Sequence, residues 1–358
     1  MLYHLLFPLR EEIGFFNIFR YITFRSILAF LIATVISIIW GKFFISYMQK
    51  KQFGQVVRND GPQSHLKKAG TPTMGGVFII STVILTLLIC ANFFSLPVVA
   101  VLVVMVSYFL LGFLDDYLKV LKKNTDGISA RGKLLWQFVT AVIVSYFLIS
   151  KGVIDTKIYM PFFKGAVFDL GNFYILFASI VIVGSSNAVN LTDGLDGLAI
   201  GSVITSAAAL GILSYVAGHK DIAGYLYIPY VENVGELLVY ATAIIGSGVG
   251  FLWYNSYPAQ IFMGDVGSLS LGGILGTIAV LTKNEVLFVL IGGIFVIEAV
   301  SVILQVLSFK LTGKRIFKMA PIHHHFELSG WAEPKVIIRF WIISIFLSIL
   351  AVATLKMR

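Results

Sequence analysis

The chain has 358 residues, of which 58% are hydrophobic and 13% are charged, and its mean hydropathy is +0.91. Soluble domains carry about one quarter charged residues, so this composition excludes an ordinary soluble protein. The formal net charge of +9 would suit a nucleic-acid partner, but the basic residues must first be compared with a membrane topology. The single cysteine, Cys90, lies in an apolar run, so no internal disulfide can form.

Ten apolar runs predict ten transmembrane helices, because each run with its flanks approaches the roughly 20 residues that cross a bilayer. The eighth run is short and rich in glycine, and a transmembrane β-barrel would show short alternating segments instead. The predicted fold is therefore all-α: a polytopic membrane protein whose residues 1–358 form one helical domain. The predicted spans lie near residues 22–46, 75–94, 97–116, 133–150, 172–188, 197–217, 237–255, 268–282, 286–309 and 336–355.

Lysine and arginine are concentrated in alternate loops, near residues 50–68, 119–133 and 310–335. The intervening loops hold few basic residues. The positive-inside rule places the basic loops in the cytoplasm, and the even number of spans then puts both termini outside. Since this asymmetry accounts for most of the net charge, no nucleic-acid partner is predicted.

The segment NAVNLTDGLDGLA at 187–199 lies between two predicted spans on the cytoplasmic side and contains no basic residue. It carries Asp193 and Asp196, and a charged side chain at membrane depth is usually retained for function. Gly194 and Gly197 would interrupt the helix and let the backbone approach a ligand. A polar turn between two helices explains the same residues.

Two adjacent acids, Asp115 and Asp116, end the third predicted span. Neighbouring side chains on a helix point about 100° apart, so one acid could bind a metal or act as a base while the other supports it. A helix C-terminus disfavours acids, so the pair needs a compensating cation. The alternative is a solvated helix end.

The loop from Trp253 to Gly267 contains Asn255, Phe262 and Asp265 in a setting rich in glycine. This pattern suits a metal-binding carboxylate beside an aromatic platform for a base or a sugar. Phe262 could also be an aromatic residue of the membrane interface.

Three consecutive histidines, His323, His324 and His325, follow in the last basic loop. Their spacing is not that of a zinc site, and contact with a phosphate is the favoured function. Glu298 and Gln305 lie seven residues apart in the ninth span and therefore on one face. An ionisable group in a span indicates function, whereas an interhelical hydrogen bond accounts for Gln305 equally well.

Lys68 precedes the segment GTPTMGG at 70–76, where glycines and the hydroxyls of residues such as Thr73 could hold phosphate oxygens at a helix start. The segment is not a Walker motif. Five carboxylates and three imidazoles on one face, without another cofactor motif, favour Mg²⁺-assisted phosphoryl transfer.

Five motifs in this order resemble one protein family over essentially the whole chain: GTPTMGG at 70–76, FLDDY at 113–117, NAVNLTDGLDGLA at 187–199, NSYPAQIFMGDVGSL at 255–269 and APIHHHFEL at 320–328. They are similar to the phospho-N-acetylmuramoyl-pentapeptide transferases, a branch of the polyprenyl-phosphate N-acetylhexosamine-1-phosphate transferases. The three histidines favour this branch over the N-acetylglucosamine branch.

The resemblance implies a reaction and a setting. Phospho-MurNAc-pentapeptide would pass from UDP-MurNAc-pentapeptide to undecaprenyl phosphate, giving lipid I and UMP in peptidoglycan synthesis. The cofactor would be Mg²⁺, the enzyme would be a homodimer, and its location would be the bacterial cytoplasmic (inner) membrane. The acidic face would be cytoplasmic, where the anionic donor arrives, while the membrane lipid arrives laterally.

The resemblance also implies roles for single residues. Asp265 would bind the metal, Asp115 would deprotonate or orient the lipid phosphate, and Asp116 would support it. His323, His324 and His325 would be catalytic and would lie with Gln305 on the sugar-phosphate side. The other substrate-binding positions would be Lys68, Thr73, Lys133, Asn190, Asp193, Gly194, Leu195, Asp196, Asn255 and Phe262.

Two alternatives stay open at this point. A related transferase would use UDP-GlcNAc as its donor. A cation or metabolite transporter would explain Glu298 and the interrupted segment at 194–197, but the acids cluster at one face and no inverted repeat is visible.

Overall fold

The computed structural model describes residues 2–51, 70–122 and 127–357, and these residues are mostly helical. The helices are α1 (Leu2–Leu6), α2 (Ile22–Lys50), α3 (Gly76–Cys90), α4 (Leu96–Lys122), α5 (Ala130–Ser150), α6 (Phe173–Thr192), α7 (Leu198–Ala217), α8 (Lys220–Tyr225), α9 (Leu237–Asn255), α10 (Gly264–Leu281), α11 (Glu285–Ile291), α12 (Gly293–Thr312), α13 (Ile322–Glu327) and α14 (Glu333–Ala353). Two short strands, β1 (Lys157–Tyr159) and β2 (Ala166–Asp169), form an antiparallel hairpin between α5 and α6.

Within the described ranges, nine helices are long and apolar enough to cross a membrane, namely α2, α4, α5, α6, α7, α9, α10, α12 and α14. The shorter apolar helix α3, of 15 residues, accounts for the tenth predicted span. The prediction of an all-α polytopic membrane protein is therefore confirmed.

Two predicted boundaries were wrong. The predicted span at 286–309 is two helices, α11 and α12, which meet at Gly292. The predicted span at 268–282 begins earlier, at Gly264, so that Asp265 lies in the first turn of α10 and not in a loop. Gly264 has a φ of +73°, a conformation that glycine adopts readily, and this permits the sharp entry into the helix.

α10 lies at the centre of the bundle, and all its residues from Val266 to Leu281 are buried. Small residues let its first turn approach two neighbouring helices very closely. A Cβ atom at Gly112 of α4 would lie 2.4 Å from the Asp265 carbonyl oxygen, and one at Gly76 of α3 would lie 2.0 Å from the Gly267 nitrogen. Any larger residue at 76 or 112 would therefore displace the start of α10.

Both termini lie at the same end of the bundle. Near the start of α2, Arg25 donates two hydrogen bonds of 2.7 Å to Glu236, which precedes α9. At the other end of the chain, Lys356 Nζ lies 3.6 Å from the ring centroid of Tyr225, in the connection between α7 and α9. The β-hairpin belongs to this end as well, because Lys283 after α10 contacts Asp155 before β1.

Candidate active site

Three carboxylates meet at the end of the bundle opposite the termini. Asp115 and Asp116 lie near the C-terminus of α4, and Asp265 lies in the first turn of α10. Each can offer one oxygen atom so that the three atoms lie within 4.8 Å of one another. Oxygen ligands from two or three carboxylates suit a hard divalent cation such as Mg²⁺. The structure therefore brings together the three acids that the sequence had singled out in separate motifs.

Two lysines neutralise much of this charge. Lys119 Nζ lies 2.6 Å from Asp115 Oδ2 and 3.3 Å from Asp265 Oδ2. Lys133 Nζ lies 2.8 Å and 2.6 Å from the same two oxygens. These ammonium groups are the compensating cations that acids at a helix C-terminus require. Three carboxylates therefore face two lysines in this cluster.

Lys119 had not been singled out as a site residue, whereas Lys133 had been predicted as a phosphate contact. The signal for Lys119 was present in the sequence, because it lies four residues after Asp115 and therefore on the same helix face. Its contact with Asp265, 146 residues away, had no such local signal.

Backbone amides hold the two adjacent acids in different directions. The Ile128 amide donates to Asp115 Oδ1 over 2.7 Å, and the Val266 amide donates to Asp116 Oδ2 over 3.2 Å. A Cβ atom at Gly127 would lie 2.2 Å from Asp115 Oδ1, so a larger residue could not occupy position 127 without a shift. The two carboxylates thus accept from different backbone amides, but both contact Lys119, and both can offer an oxygen to the same point although neighbours on a helix were expected to diverge.

Asn190, in the last turns of α6, contacts the acidic cluster directly. Its Nδ2 atom donates to Asp265 Oδ1 over 2.9 Å and to Ser268 Oγ over 2.8 Å. The side-chain amide therefore orients the Asp265 carboxylate, in addition to any contact with a substrate.

Asp193 follows α6 and is half-buried beside the same cluster. Its burial and then the negative charge of Asp265 raise the pKa of the Asp193 carboxyl to about 7, against a hydrogen bond from the Gly264 backbone amide. A Cβ atom at Gly264 would lie 2.4 Å from Asp116 Oδ2, so this glycine fits between Asp116 and Asp193. Asp193 is thus electrostatically part of the site.

Three residues predicted to bind substrate also have partners within the chain. Asp196 Oδ2 accepts a hydrogen bond of 3.0 Å from the Ala259 amide. Asn255 accepts from the Gly197 amide over 2.9 Å and donates to the Ile261 carbonyl over 2.7 Å. Leu195, which is 4% exposed, packs in an apolar cluster with residues of α7, α12 and α14. These contacts bind the 193–197 loop to the 255–263 loop, and direct contact with the nucleotide stays a prediction.

The segment around Thr73 pairs with the 255–263 loop, directly before α10. The Phe262 amide donates to the Pro72 carbonyl over 2.9 Å, and the Gly75 amide donates to the Phe262 carbonyl over 2.8 Å. Thr73 is buried and Phe262 is half-buried. Lys68 lies outside the described residues. The backbone pairing explains how two motifs nearly 190 residues apart in the chain form one surface.

The three histidines have three different partners. His323 Nδ1 lies 3.1 Å from Glu298 Oε1, and His324 Nδ1 lies 2.8 Å from Glu327 Oε2. His325 Nδ1 accepts from the Lys318 amide over 3.1 Å. The imidazoles therefore do not share one partner. This agrees with the sequence analysis, in which their consecutive spacing did not fit a zinc site.

Gln305 binds the loop that leads to the histidines. Its Oε1 atom accepts from the Ile316 and Phe317 amides over 3.0 Å and 2.9 Å, and its Nε2 atom donates to the Phe317 carbonyl over 3.0 Å. The amide is thus engaged with backbone, and its predicted contact with the sugar phosphate stays a prediction.

Comparison with known proteins agrees with this geometry. The glycosyl transferase family 4 profile matches residues 98–283, and phospho-N-acetylmuramoyl-pentapeptide-transferase signature 1 matches residues 68–80. The matched ranges include the Asp115–Asp116 pair, the 187–199 segment and Asp265.

Full-length relatives are also similar to this chain. The phospho-N-acetylmuramoyl-pentapeptide-transferases of Citrifermentans bemidjiense, Pelobacter propionicus and a Geobacter species are each 55% identical to it over 358 residues, which is 100% of both chains. These relatives are bacterial, and the nine candidate spans of the described residues make the chain a multi-pass protein of the bacterial inner membrane. At this identity and coverage, the chain belongs to the phospho-N-acetylmuramoyl-pentapeptide-transferase family.

Proposed function

We propose that this protein transfers phospho-MurNAc-pentapeptide from UDP-MurNAc-pentapeptide to undecaprenyl phosphate, releasing UMP and forming lipid I in peptidoglycan synthesis. The observation that carries the proposal is the cluster of three carboxylates and two lysines at one end of a membrane bundle. Full-length relatives at 55% identity support the substrate class.

The three carboxylates would hold Mg²⁺, with Asp265 as the main ligand. Two properties of the cluster support the fit: its acceptor groups are all carboxylate oxygens, and one oxygen of each of the three lies within 4.8 Å of the other two. When bound, the metal would supply charge neutralisation on the diphosphate of the donor.

Lys119 and Lys133 are proposed to contact phosphate oxygens. Both ammonium groups reach Asp265 and Asp115 in one cluster, and their side chains are 32% and 20% exposed, so an incoming phosphate can reach them. Charge-assisted hydrogen bonds of this kind are about twice as strong as neutral ones. A phosphate that approaches the carboxylates would thus be held by both lysines.

Asp115 is proposed to orient or deprotonate the phosphate of the lipid acceptor. Two ammonium groups and the Ile128 amide surround its carboxylate and hold it beside Asp265, where an incoming phosphate would meet it. Asp116, turned towards the start of α10, would support the metal ligand.

The orientation in the membrane and the assembly are also proposals. Because Lys119 and Lys133, from one of the basic loops, lie at the acidic end of the bundle, this end would face the cytoplasm and the shared end of the termini would lie outside. The homodimer is proposed from the family resemblance alone.

The transporter alternative is not supported by the described residues. Glu298, the acid in a span that had motivated it, is paired with His323. The other acids of the candidate site gather at one end of the bundle and not at its middle, where transporters bind their substrates.

The test is product analysis with the purified protein in detergent. UDP-MurNAc-pentapeptide, undecaprenyl phosphate and MgCl₂ are expected to give UMP and a lipid-linked phosphosugar of the mass of lipid I. Omitting the lipid phosphate or adding EDTA should abolish UMP release. Turnover with UDP-GlcNAc in place of the muramoyl donor would contradict the proposal and favour the related branch.

A further inference from the structure

An acid buried in a span, Glu298, has no part in the reaction as proposed so far. It lies in α12, and its side chain and that of His323 in α13 are both 0% exposed. Glu298 Oε1 lies 3.1 Å from His323 Nδ1. A buried carboxylate is costly unless it is paired, so the histidine explains why an acid is tolerated here.

The far atoms of this pair are unsatisfied. Glu298 Oε2 and His323 Nε2 are buried, and neither has a hydrogen-bond partner among the described residues. Buried polar atoms are usually hydrogen-bonded, and exceptions often coincide with function. The orphaned imidazole nitrogen therefore indicates a partner that arrives from outside the chain.

Gly194 lies directly beside His323 Nε2. A Cβ atom at Gly194 would lie 2.3 Å from His323 Nε2, so the imidazole packs against the glycine backbone. Gly194 directly follows Asp193, the acid whose pKa is raised by Asp265. The ring thus presents Nε2 to the loop that separates it from the acidic cluster.

The pairing also determines which imidazole nitrogen carries the proton. An ionised carboxylate can only accept hydrogen bonds, so His323 Nδ1 must donate to Glu298. In the neutral imidazole, Nε2 then has a lone pair and accepts a hydrogen bond. A group that meets Nε2 must accordingly offer an O–H or an N–H.

We propose that Glu298 is a positioning residue, which holds His323 so that Nε2 accepts a hydrogen bond from a hydroxyl or amide N–H of the bound sugar-peptide donor. This inference rests on the proposed function for the identity of the donor. It also explains why glycine occupies position 194, since any side chain there would displace the ring.

The kinetic test uses four variants: Glu298→Ala, Glu298→Gln, His323→Ala and the double variant with both alanines. Loss of a carboxylate that orients a metal-bound histidine typically costs roughly 10–100-fold in activity, and we expect a loss of the same order for His323. Glu298→Ala should lower kcat by this factor, and Glu298→Gln should lose less, because its amide oxygen still accepts from Nδ1. The double variant should be no slower than His323→Ala, since the glutamate acts through the histidine. Normal kcat in Glu298→Ala, or losses that multiply in the double variant, would overturn the proposal.

A second readout does not depend on activity or on the donor. In ¹⁵N-histidine NMR spectra of the full chain, the His323 signal is assigned by its absence in His323→Ala. Wild type should show a protonated Nδ1 and an unprotonated Nε2, and Glu298→Ala should shift both resonances. An Nε2–H form in wild type, or an unchanged His323 signal in Glu298→Ala, would contradict the pairing. If wild type shows no turnover, the proposed function fails while this measurement still decides the role of Glu298.

The matched control is Glu285→Gln, at the opposite end of the bundle. Glu285 is also a buried glutamate with an orphaned Oε2 atom, and it accepts a hydrogen bond from Tyr174. This variant should leave the His323 signal and kcat unchanged. A loss of kcat equal to that of Glu298→Gln would mean that removing any buried carboxylate has this effect, and it would overturn the assignment.

Discussion

The two ends of the bundle both bury charge, but they do so differently. At the end shared by the termini, Arg25 and Glu236 form a closed pair: two hydrogen bonds of 2.7 Å join them, and their side chains are 1% and 8% exposed. At the other end, Asp115, Asp116 and Asp265 meet two lysines whose side chains remain partly exposed.

This difference separates a structural ion pair from a functional one. The guanidinium and carboxylate of the closed pair match in charge and in hydrogen-bonding geometry. The pair is buried, and neither partner needs a further ion to balance its charge. The acidic cluster has more carboxylates than cations and is reachable from outside. Carboxylate oxygens from three side chains can bind a divalent cation, and the partly exposed ammonium groups of Lys119 and Lys133 can bind a phosphate, which is why the acidic cluster suits both.

The largest expected effect is that of Asp265→Ala. This substitution removes the carboxylate that contacts both lysines and Asn190, and it should lower UMP release by about 10²–10³-fold, the cost of losing one preorganised electrostatic group. The thermal unfolding temperature should change little, because no apolar packing is lost. Near-normal turnover would show that the acidic cluster is not the active site.

Arg25→Ala should have the opposite profile. It leaves Glu236 buried without its partner, which typically costs roughly 3–5 kcal/mol in the free energy of unfolding. The folded fraction should retain kcat, because the pair is remote from the acidic cluster. A lower unfolding temperature in detergent together with unchanged kcat is the expected result. Loss of kcat without loss of stability would mean that the Arg25–Glu236 pair is not merely structural.

Phe262→Ala tests whether the end of the bundle that holds the acidic cluster binds the nucleotide. If the half-buried ring stacks on the uracil base, its loss should weaken binding of the UDP donor by about 1–3 kcal/mol. Binding of undecaprenyl phosphate should stay within about twofold of wild type, because a ring that contacts only the base makes no contact with the lipid. Titration of each substrate separately measures both effects. Equal weakening of the two would mean that Phe262 is only an interface residue.

The last expected effect concerns the pH dependence of stability. The pKa of Asp193 is raised to about 7 in the folded chain from an ordinary value near 4, so the folded state binds the proton more tightly than the unfolded state. Without metal, stability should fall as the pH rises from about 4 to about 7 and then level off. Unfolding temperatures in EDTA should show this slope in wild type and a weaker slope in Asp193→Asn. Equal slopes would contradict the assignment.

Several features of the molecule could be predicted from the sequence because their causes are local. Continuous apolar runs predicted the spans, since burying a helix in lipid depends on length and composition. The adjacent acids Asp115 and Asp116 predicted a compensating cation, because a helix C-terminus disfavours acids, and Lys119 contacts both. The five motifs indicated the family, and the full-length relatives confirmed it.

Other features depended on long-range contacts. The predicted substrate contacts Leu195, Asp196 and Asn255 are buried, because the 193–197 and 255–263 loops satisfy each other's backbone groups. The break at Gly292 was missed for a different reason: the apolar run was interpreted as one helix, although the pair Gly292–Gly293 is a local signal that can end a helix.

By itself, the sequence determined which residue types exist at membrane depth, that the chain is a helical membrane protein, and which loops carry positive charge. These properties follow from the transfer of side chains between water and lipid, which is a property of each segment alone. Only the tertiary structure decided that Lys119 and Lys133 share Asp265, and that Glu298 holds His323 against Gly194. Such pairings depend on contacts between segments far apart in the chain: the close approach of α3 and α4 to α10 at Gly76 and Gly112 positions Asp265, and the close approach of Gly194 to the imidazole positions His323.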